Sequence, residues 1–206
     1  MRSMKKMGSV VGLVVAVVAL AGASSASAVS ITPAGQAFSG TSTGEHVFTI
    51  NANLKVRCNH ATFAGTTANP VSNTTSFTAT YGPATGASGA WCRLYVGGVF
   101  SNATVTPTGS WSLTALTFNS LTGASTGSVT TSGVTHIVVG GCTIDVPSGT
   151  TVPVTGQNVT PTGVQLNASG GGLSFTSTGC SGFGVPASGS TATYAGAVDI
   201  AGVSIS

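Results

Sequence analysis

Charge is nearly missing from this chain: charged residues make up 4% of its 206 positions, and three of the six basic ones, Arg2, Lys5 and Lys6, fall at its very start. Beyond residue 28 there remain Lys55, Arg57 and Arg93 against Glu45, Asp145 and Asp199, a net charge of zero. A neutral chain has no basic stripe with which to neutralise phosphates, which argues against nucleic-acid binding, and no polybasic patch for anionic lipid. Helix formers such as Glu, Lys, Gln and Met are scarce, so no long amphipathic helix is legible. After the amino-terminal segment no stretch approaches the roughly 20 apolar residues that a membrane-spanning helix needs. Cysteine pairs at C-x₂₋₄-C spacing are absent, and with them the usual structural zinc site.

What is present begins with an export signal. Arg2, Lys5 and Lys6 form a basic region, Val10 to Leu20 a short apolar one, and Ala26-Ser27-Ala28 a small-residue cleavage site, the three parts of a secretory signal peptide. Residues 1–28 are therefore expected to be removed after Ala28, leaving a single all-β domain over 29–206. The compartment is expected to be extracellular or the cell surface. Hydrophobic residues make up 41% of the chain, too many for disorder throughout.

Beyond Val29, Thr and Val are abundant and Gly or Pro recurs every few residues, a composition of strands and turns. In His46 to Cys58, Phe48, Ile50, Ala52, Leu54, Val56 and Cys58 alternate with Thr49, Asn51, Asn53, Lys55 and Arg57. This period of two reads as one half-buried strand. Shorter alternations follow in Ser76 to Tyr81, Trp91 to Val96, Ser110 to Phe118, Val134 to Val139, Cys142 to Val146, Leu173 to Ser177 and Ala192 to Ile205. Ser110 to Phe118 carries apolar residues of both phases and reads as buried on both faces. In the last segment Tyr194, Gly196, Val198 and Ile200 share a face that Gly196 leaves with a gap. The residues from Val29 to Gly44 read as a loosely held arm, and Gly82 to Gly89 and Asn167 to Gly172 as loops. About eight to ten short strands separated by turns predict an antiparallel β-sandwich or a Greek-key barrel-like domain.

Cys58, Cys92, Cys142 and Cys180 in an exported chain predict two disulfides, of which four cysteines allow three connectivities. Nearest-neighbour pairing, Cys58 with Cys92 and Cys142 with Cys180, is preferred because each cysteine lies in or beside a strand segment. Cys58-Asn59-His60 is the rival metal reading, which the oxidising compartment disfavours.

Candidate chemistry is thin. Gly123-Ala124-Ser125-Thr126-Gly127 matches G-x-S-x-G, yet no helix succeeds it, and His136 precedes Asp145 where the nucleophile motif needs acid before histidine. Glycoside hydrolysis asks for two carboxylates across a cleft, and Glu45, Asp145 and Asp199 read as surface charges. His46, His60 and His136 stand at no paired metal-ligand spacing. No catalytic residue, cofactor or metal is therefore assigned. Trp91 and Tyr95 are the candidate surface-binding residues, since Trp91 faces away from its neighbour Cys92, whereas Trp111 reads as a core anchor.

The mature start Ser30-Ile31-Thr32-Pro33-Ala34-Gly35, the strand end Val56-Arg57-Cys58 followed by Ala61-Thr62-Phe63-Ala64-Gly65, and three later cysteines resemble the small exported bacterial alkane-oxidation activators of the Pra type. That resemblance implies an extracellular, non-enzymatic β-protein linked to growth on hydrophobic substrates or to surface and biofilm attachment. The leading expectation is an adhesin-like or matrix component acting through its surfaces, by self-association or by contact with the cell envelope. Low charge and exposed strand edges are its physical basis. A binding module for an apolar ligand or a carbohydrate is the alternative, which an apolar cavity favours and a solid core disfavours; a hydrolase ranks below both.

Overall fold

Alternation of apolar and hydroxyl-bearing residues closes this chain into an antiparallel barrel. The structure is a computed structural model that describes residues 29–159, 163–186 and 190–206; the expected signal peptide lies outside them. Hydrogen bonding divides the described residues into seventeen strands, more than the eight to ten expected. The surplus arises because most wall strands bend at mid-height and lose a few ladder bonds there.

After β1 (Ile31–Thr32), the first stave of the wall is β2 (Ala37–Ser42) continued by β3 (His46–Asn51), and the second is β4 (Leu54–Cys58) continued by β5 (Ala61–Thr66). The third joins β6 (Thr74–Tyr81) to β7 (Cys92–Val96), and the fourth β8 (Val99–Pro107) to β9 (Trp111–Asn119). The fifth joins β10 (Ala124–Thr131) to β11 (Thr135–Val139), and the sixth β12 (Cys142–Val146) to β13 (Thr151–Val159). The seventh is β14 (Gly163–Ser174) with β15 (Thr176–Thr178), and β16 (Thr191–Ala201) is an unbroken eighth, succeeded by β17 (Ser204–Ile205).

Register identifies these segments as continuous staves. Val138 opposite Thr104 and Thr131 opposite Trp111 belong to one unbroken register across the bend between the fourth and fifth staves. The fifth and sixth keep one register from Thr135 opposite Val146 to Ala124 opposite Gln157. Each stave pairs with the next in sequence, and β16 closes the ring, bonding β14 on one side and both β2 and β3 on the other. The expected all-β antiparallel fold is present in its barrel form, with up-and-down connections in place of Greek-key ones.

At the waist, segments 108–110 and 132–134 touch so closely that a Cβ on Gly133 would stand 1.8 Å from the Thr108 carbonyl oxygen. Only glycine fits there. The bend keeps its bonds through Thr108 N–H to the Val134 carbonyl at 2.8 Å and Ser132 N–H to the Ser110 carbonyl at 2.9 Å.

Four expectations change. His46 to Cys58 is a hairpin, not one strand: the chain turns at Ala52 and Asn53, where Asn53 N–H bonds the Asn51 side chain at 2.9 Å. The two-residue turn sets Asn51 opposite Leu54 and would invert the phase, but the bulge beside it at Ile50 returns the register to Thr49 opposite Lys55, so the alternation runs through the hairpin unbroken. The second apolar phase of Ser110 to Phe118 comes from a bulge: Ala115 opposes Gly127 and Thr117 opposes Thr126, leaving Leu116 extra and exposed. Such an extra residue inverts the phase of every later position in its strand. Asn167 to Gly172 continues β14 along β16 instead of looping out. Finally, the stretch from Val29 to Gly44 is not a loose arm. β2 is a wall strand, and β1 pairs with β17 to bring buried Ile31 opposite Ile205. Asn158 holds that ribbon by bonding both the N–H and the carbonyl of Ile205.

The inward positions form one apolar cluster reaching from Ile205, Val164 and Leu166 below to Leu94, Ile137 and Ile144 above. Outward, the lower wall carries Thr41, Thr62 and Thr80 in line across β2, β5 and β6, and Thr74, Thr114 and Ser128 across β6, β9 and β10. Along these rows the polarity is the reverse of the outward apolar band of an outer-membrane barrel. Among the described residues no helix is long and apolar enough to cross a membrane.

Candidate ligand cavity and outer cation-aromatic face

An eight-stranded barrel is just wide enough either to be filled by its side chains or to hold one small ligand. Here an apolar cavity of about 110 Å³ remains at the waist. Gly196, at an inward position of β16, borders it and contributes no side chain.

The imidazole of His46 occupies that gap. His46 is the first residue of β3 and in phase with Phe48 and Ile50, so alternation turns it inward, where it is 5% exposed. Its Nδ1 lies 2.5 Å from the Tyr194 hydroxyl, which lies 3.2 Å from the Tyr81 hydroxyl. Phe63 and Tyr81 flank the imidazole with centroids at 5.7 and 5.6 Å, and Trp111 stands 6.3 Å from Tyr81. Burial lowers the His46 pKa from 6.5 to about 4, with the Ala197 backbone opposing the shift. Burial likewise pushes Tyr194 up to about 12, a shift that its bond to Tyr81 reduces. Tyr81 is raised well above 10 by burial, and Tyr194 beside it adds to the shift. The cluster is therefore uncharged at neutral pH. His46 Nε2 and Trp111 Nε1, both on cavity-lining residues, are buried without a hydrogen-bond partner.

The second site lies outside. Strands β4 and β7 are held by the Cys58–Cys92 disulfide, and the other bridge joins Cys142 to Cys180, the nearest-neighbour pairing. With the cysteines turned inward, alternation turns their neighbours Arg57 and Arg93 outward, directly opposite each other. The Arg93 guanidinium lies 4.5 Å from the Trp91 ring and 4.2 Å from the Phe100 ring, and Arg57 lies 5.0 Å from the Tyr95 ring. Asn59 fixes the approach to β7, its side chain accepting from Trp91 N–H at 2.7 Å and donating to the Gly89 carbonyl at 3.1 Å. Glu45 binds Arg57 through Nε at 2.6 Å and through the terminal nitrogen.

Trp91 and Tyr95, the candidate surface-binding residues, thus fall on one face, joined by three residues that no motif marks: Arg57, Arg93 and Phe100. Their strand phase is visible in the sequence; their adjacency across β4, β7 and β8 is not. Trp111 is a cavity-lining residue with an unpaired N–H more than a sealed core anchor. Ser125 is buried on β10, in a strand that comes after a turn, not at a strand-to-helix elbow. The carboxylates have separate partners: Glu45 takes Arg57, Asp145 takes His136 at 2.7 Å, and Asp199 accepts from Gln165 at 3.1 Å. Among the described residues no three His, Cys, Asp or Glu side chains gather as a metal site would require.

Fold and site together define an up-and-down β-barrel with an internal apolar cavity and a cation-aromatic outer face. No family model, curated protein or solved structure matches the chain.

Proposed function

We propose that this protein is an exported, non-enzymatic binding barrel whose cavity holds one small, largely apolar molecule bearing a single polar atom. The observation that carries this reading is an apolar cavity of about 110 Å³ whose lining includes His46 and Trp111, two residues that each carry a buried polar atom without a partner, Nε2 and Nε1. A buried polar group left unpaired costs about 1 to 3 kcal/mol, which a ligand atom bonding it offsets. Cavities of roughly 150 Å³ take a benzene-sized guest, so a cavity of about 110 Å³ takes an occupant of no more than about six non-hydrogen atoms. The link to hydrophobic substrates implied by the resemblance to the alkane-oxidation activators fits a cavity of this chemistry.

A catalytic reading draws little support from the cluster. A general acid or base works best with a pKa near the working pH, whereas burial moves His46 down to about 4 and Tyr194 up to about 12. The adhesin-like reading draws its support from a different place, the outer face where Lys55, Arg57 and Arg93 collect. Its edge-pairing basis is weaker, because closure of the ring pairs the long wall strands on both sides.

The test is calorimetric titration of the purified protein with cyclopentanol and with cyclopentane. Binding of cyclopentanol tighter than cyclopentane, with loss of both in the cavity-filling variant Val154→Phe, is the expected result. Failure of both compounds to bind, or binding unchanged in Val154→Phe, overturns the reading.

A further inference from the structure

The outer face of β4, β7 and β8 collects every Lys and Arg that the chain carries beyond residue 28: Lys55, Arg57 and Arg93. Arg57 and Arg93 stand directly opposite on paired strands, an arrangement in which like charges destabilise a sheet. One carboxylate, Glu45, faces the three cations, and it binds Arg57; among the described residues the ion pairs are Arg57–Glu45 and His136–Asp145. Arg93 is held between the rings of Trp91 and Phe100, with its Nε buried and without a hydrogen-bond partner. Beside this row, a depression of about 180 Å³ is floored by Gly97 and Gly98 and bordered by Lys55, Arg57 and Tyr95. Phe100 is 50% exposed, although it packs on Tyr95 with ring centroids 5.9 Å apart.

These features call for a particular ligand. Guanidinium groups pre-placed on aromatic rings lose little freedom when they take a carboxylate in a two-pronged bond. Exposed ring faces beside them offer flat apolar area for the C–H face of a sugar ring. Repetition of the motif along the face, ring beside cation beside ring, matches a polymer that presents a carboxylate on each ring.

We infer that the Trp91–Arg93–Phe100–Tyr95–Arg57 face is a binding site for an acidic polysaccharide of the uronate class. Sugar rings lie on Trp91 and on the Tyr95–Phe100 pair, and their carboxylates meet Arg93, Arg57 and Lys55. The inference supplies a partner for the surface-interaction reading and is independent of the internal cavity. The Cys58–Cys92 bridge acts as the brace that keeps Arg57 and Arg93 in register.

Affinity electrophoresis and calorimetry with polygalacturonate test it, against fully methyl-esterified polygalacturonate and against polyglutamate. Polygalacturonate is expected to bind, with affinity falling as salt rises, at least tenfold above both comparison polymers. Arg93→Gln and Phe100→Ala are each expected to weaken it about tenfold while the thermal unfolding midpoint stays within a few degrees of the wild type, which reports that the barrel is intact. Absence of polygalacturonate binding overturns the inference, as does equal binding of the esterified polymer, which carries no charge. Equal binding of polyglutamate also overturns it, by assigning the face to acidic protein segments.

Discussion

Gly196 and His46 share one space: a Cβ built on Gly196 would stand 2.4 Å from His46 Nδ1. The gap in the apolar alternation of β16 is thus the seat of an imidazole supplied by β3, the neighbouring strand across the closure of the ring. Gly196→Ala is expected to destabilise the barrel by about 2 kcal/mol, as overpacking does in a closed core. Removal of the ring in His46→Ala frees the space, so the double variant is expected to lose at least about 1 kcal/mol less than the two single losses added together. Urea titrations of the four proteins measure the coupling, and strict additivity contradicts the shared-space reading.

Stability should fall in acid through the same residue. The folded pKa of His46 is about 4 against 6.5 unfolded, so between these values the unfolded chain takes a proton that the folded one refuses. The contribution is complete above pH 6.5, declines as pH drops toward 4, and is flat below, amounting to about 3 kcal/mol in all. Denaturant midpoints of the wild type and of His46→Phe should therefore converge or cross as pH falls from 7 to 4. Curves that stay parallel refute the assignment.

At the alkaline end the sign reverses. Burial holds Tyr81 and Tyr194 above the ordinary tyrosine value, so above pH 10 the unfolded chain loses protons that the folded one keeps, and stability falls with rising pH. Tyr194→Phe is expected to reduce this loss, which thermal melts at pH 9, 10 and 11 will show.

Each disulfide closes a long loop, Cys58 to Cys92 over a separation of 34 residues and Cys142 to Cys180 over 38. The chain-entropy relation predicts about 4 kcal/mol for either. Replacing either pair with alanine should lower the unfolding free energy by about 2 to 4 kcal/mol. The Cys58–Cys92 pair alone should also weaken polygalacturonate binding, since it alone braces Arg57 against Arg93.

Gly133→Ala should rank among the most damaging single changes. Its Cβ would collide with the Thr108 carbonyl oxygen, which itself belongs to the bend, and backbone has no rotamer by which to yield. A loss of about 3 kcal/mol is expected, read as a fall in thermal midpoint. An unchanged midpoint would show that the waist opens freely.

Much of the wall is legible along the chain. The phase of Phe77, Ala79 and Tyr81, of Cys92 and Leu94, and of Val198 and Ile200 places each on the inner face, as alternation alone requires. Gly140-Gly141 marks the turn between β11 and β12, where Val139 pairs with Cys142. Two kinds of event escape. The turn at Ala52-Asn53 with its adjoining bulge at Ile50 conserves a period of two, whereas the bulge at Leu116 inverts it, so periodicity hides the first and mistakes the second for two-sided burial. Aromatic residues taken singly also say little, because Trp91 and Tyr95 gain their chemical character from Arg93, Arg57 and Phe100.

By itself the sequence determined an all-β chain with hydroxyl groups outward, because Thr and Ser alternate with Val, Leu, Ile and Phe and helix formers are scarce. It also determined that only three cations remain beyond residue 28. Their concentration was decided by the tertiary structure, since which outward residues meet depends on which staves pair and in what register. Closure decided the rest: bringing β16 against both β14 and β3 sets His46 into the space beside Gly196 and leaves an apolar cavity at the waist. No local pattern specifies a contact between residues 46 and 196, because only the complete ring brings its first stave against its last.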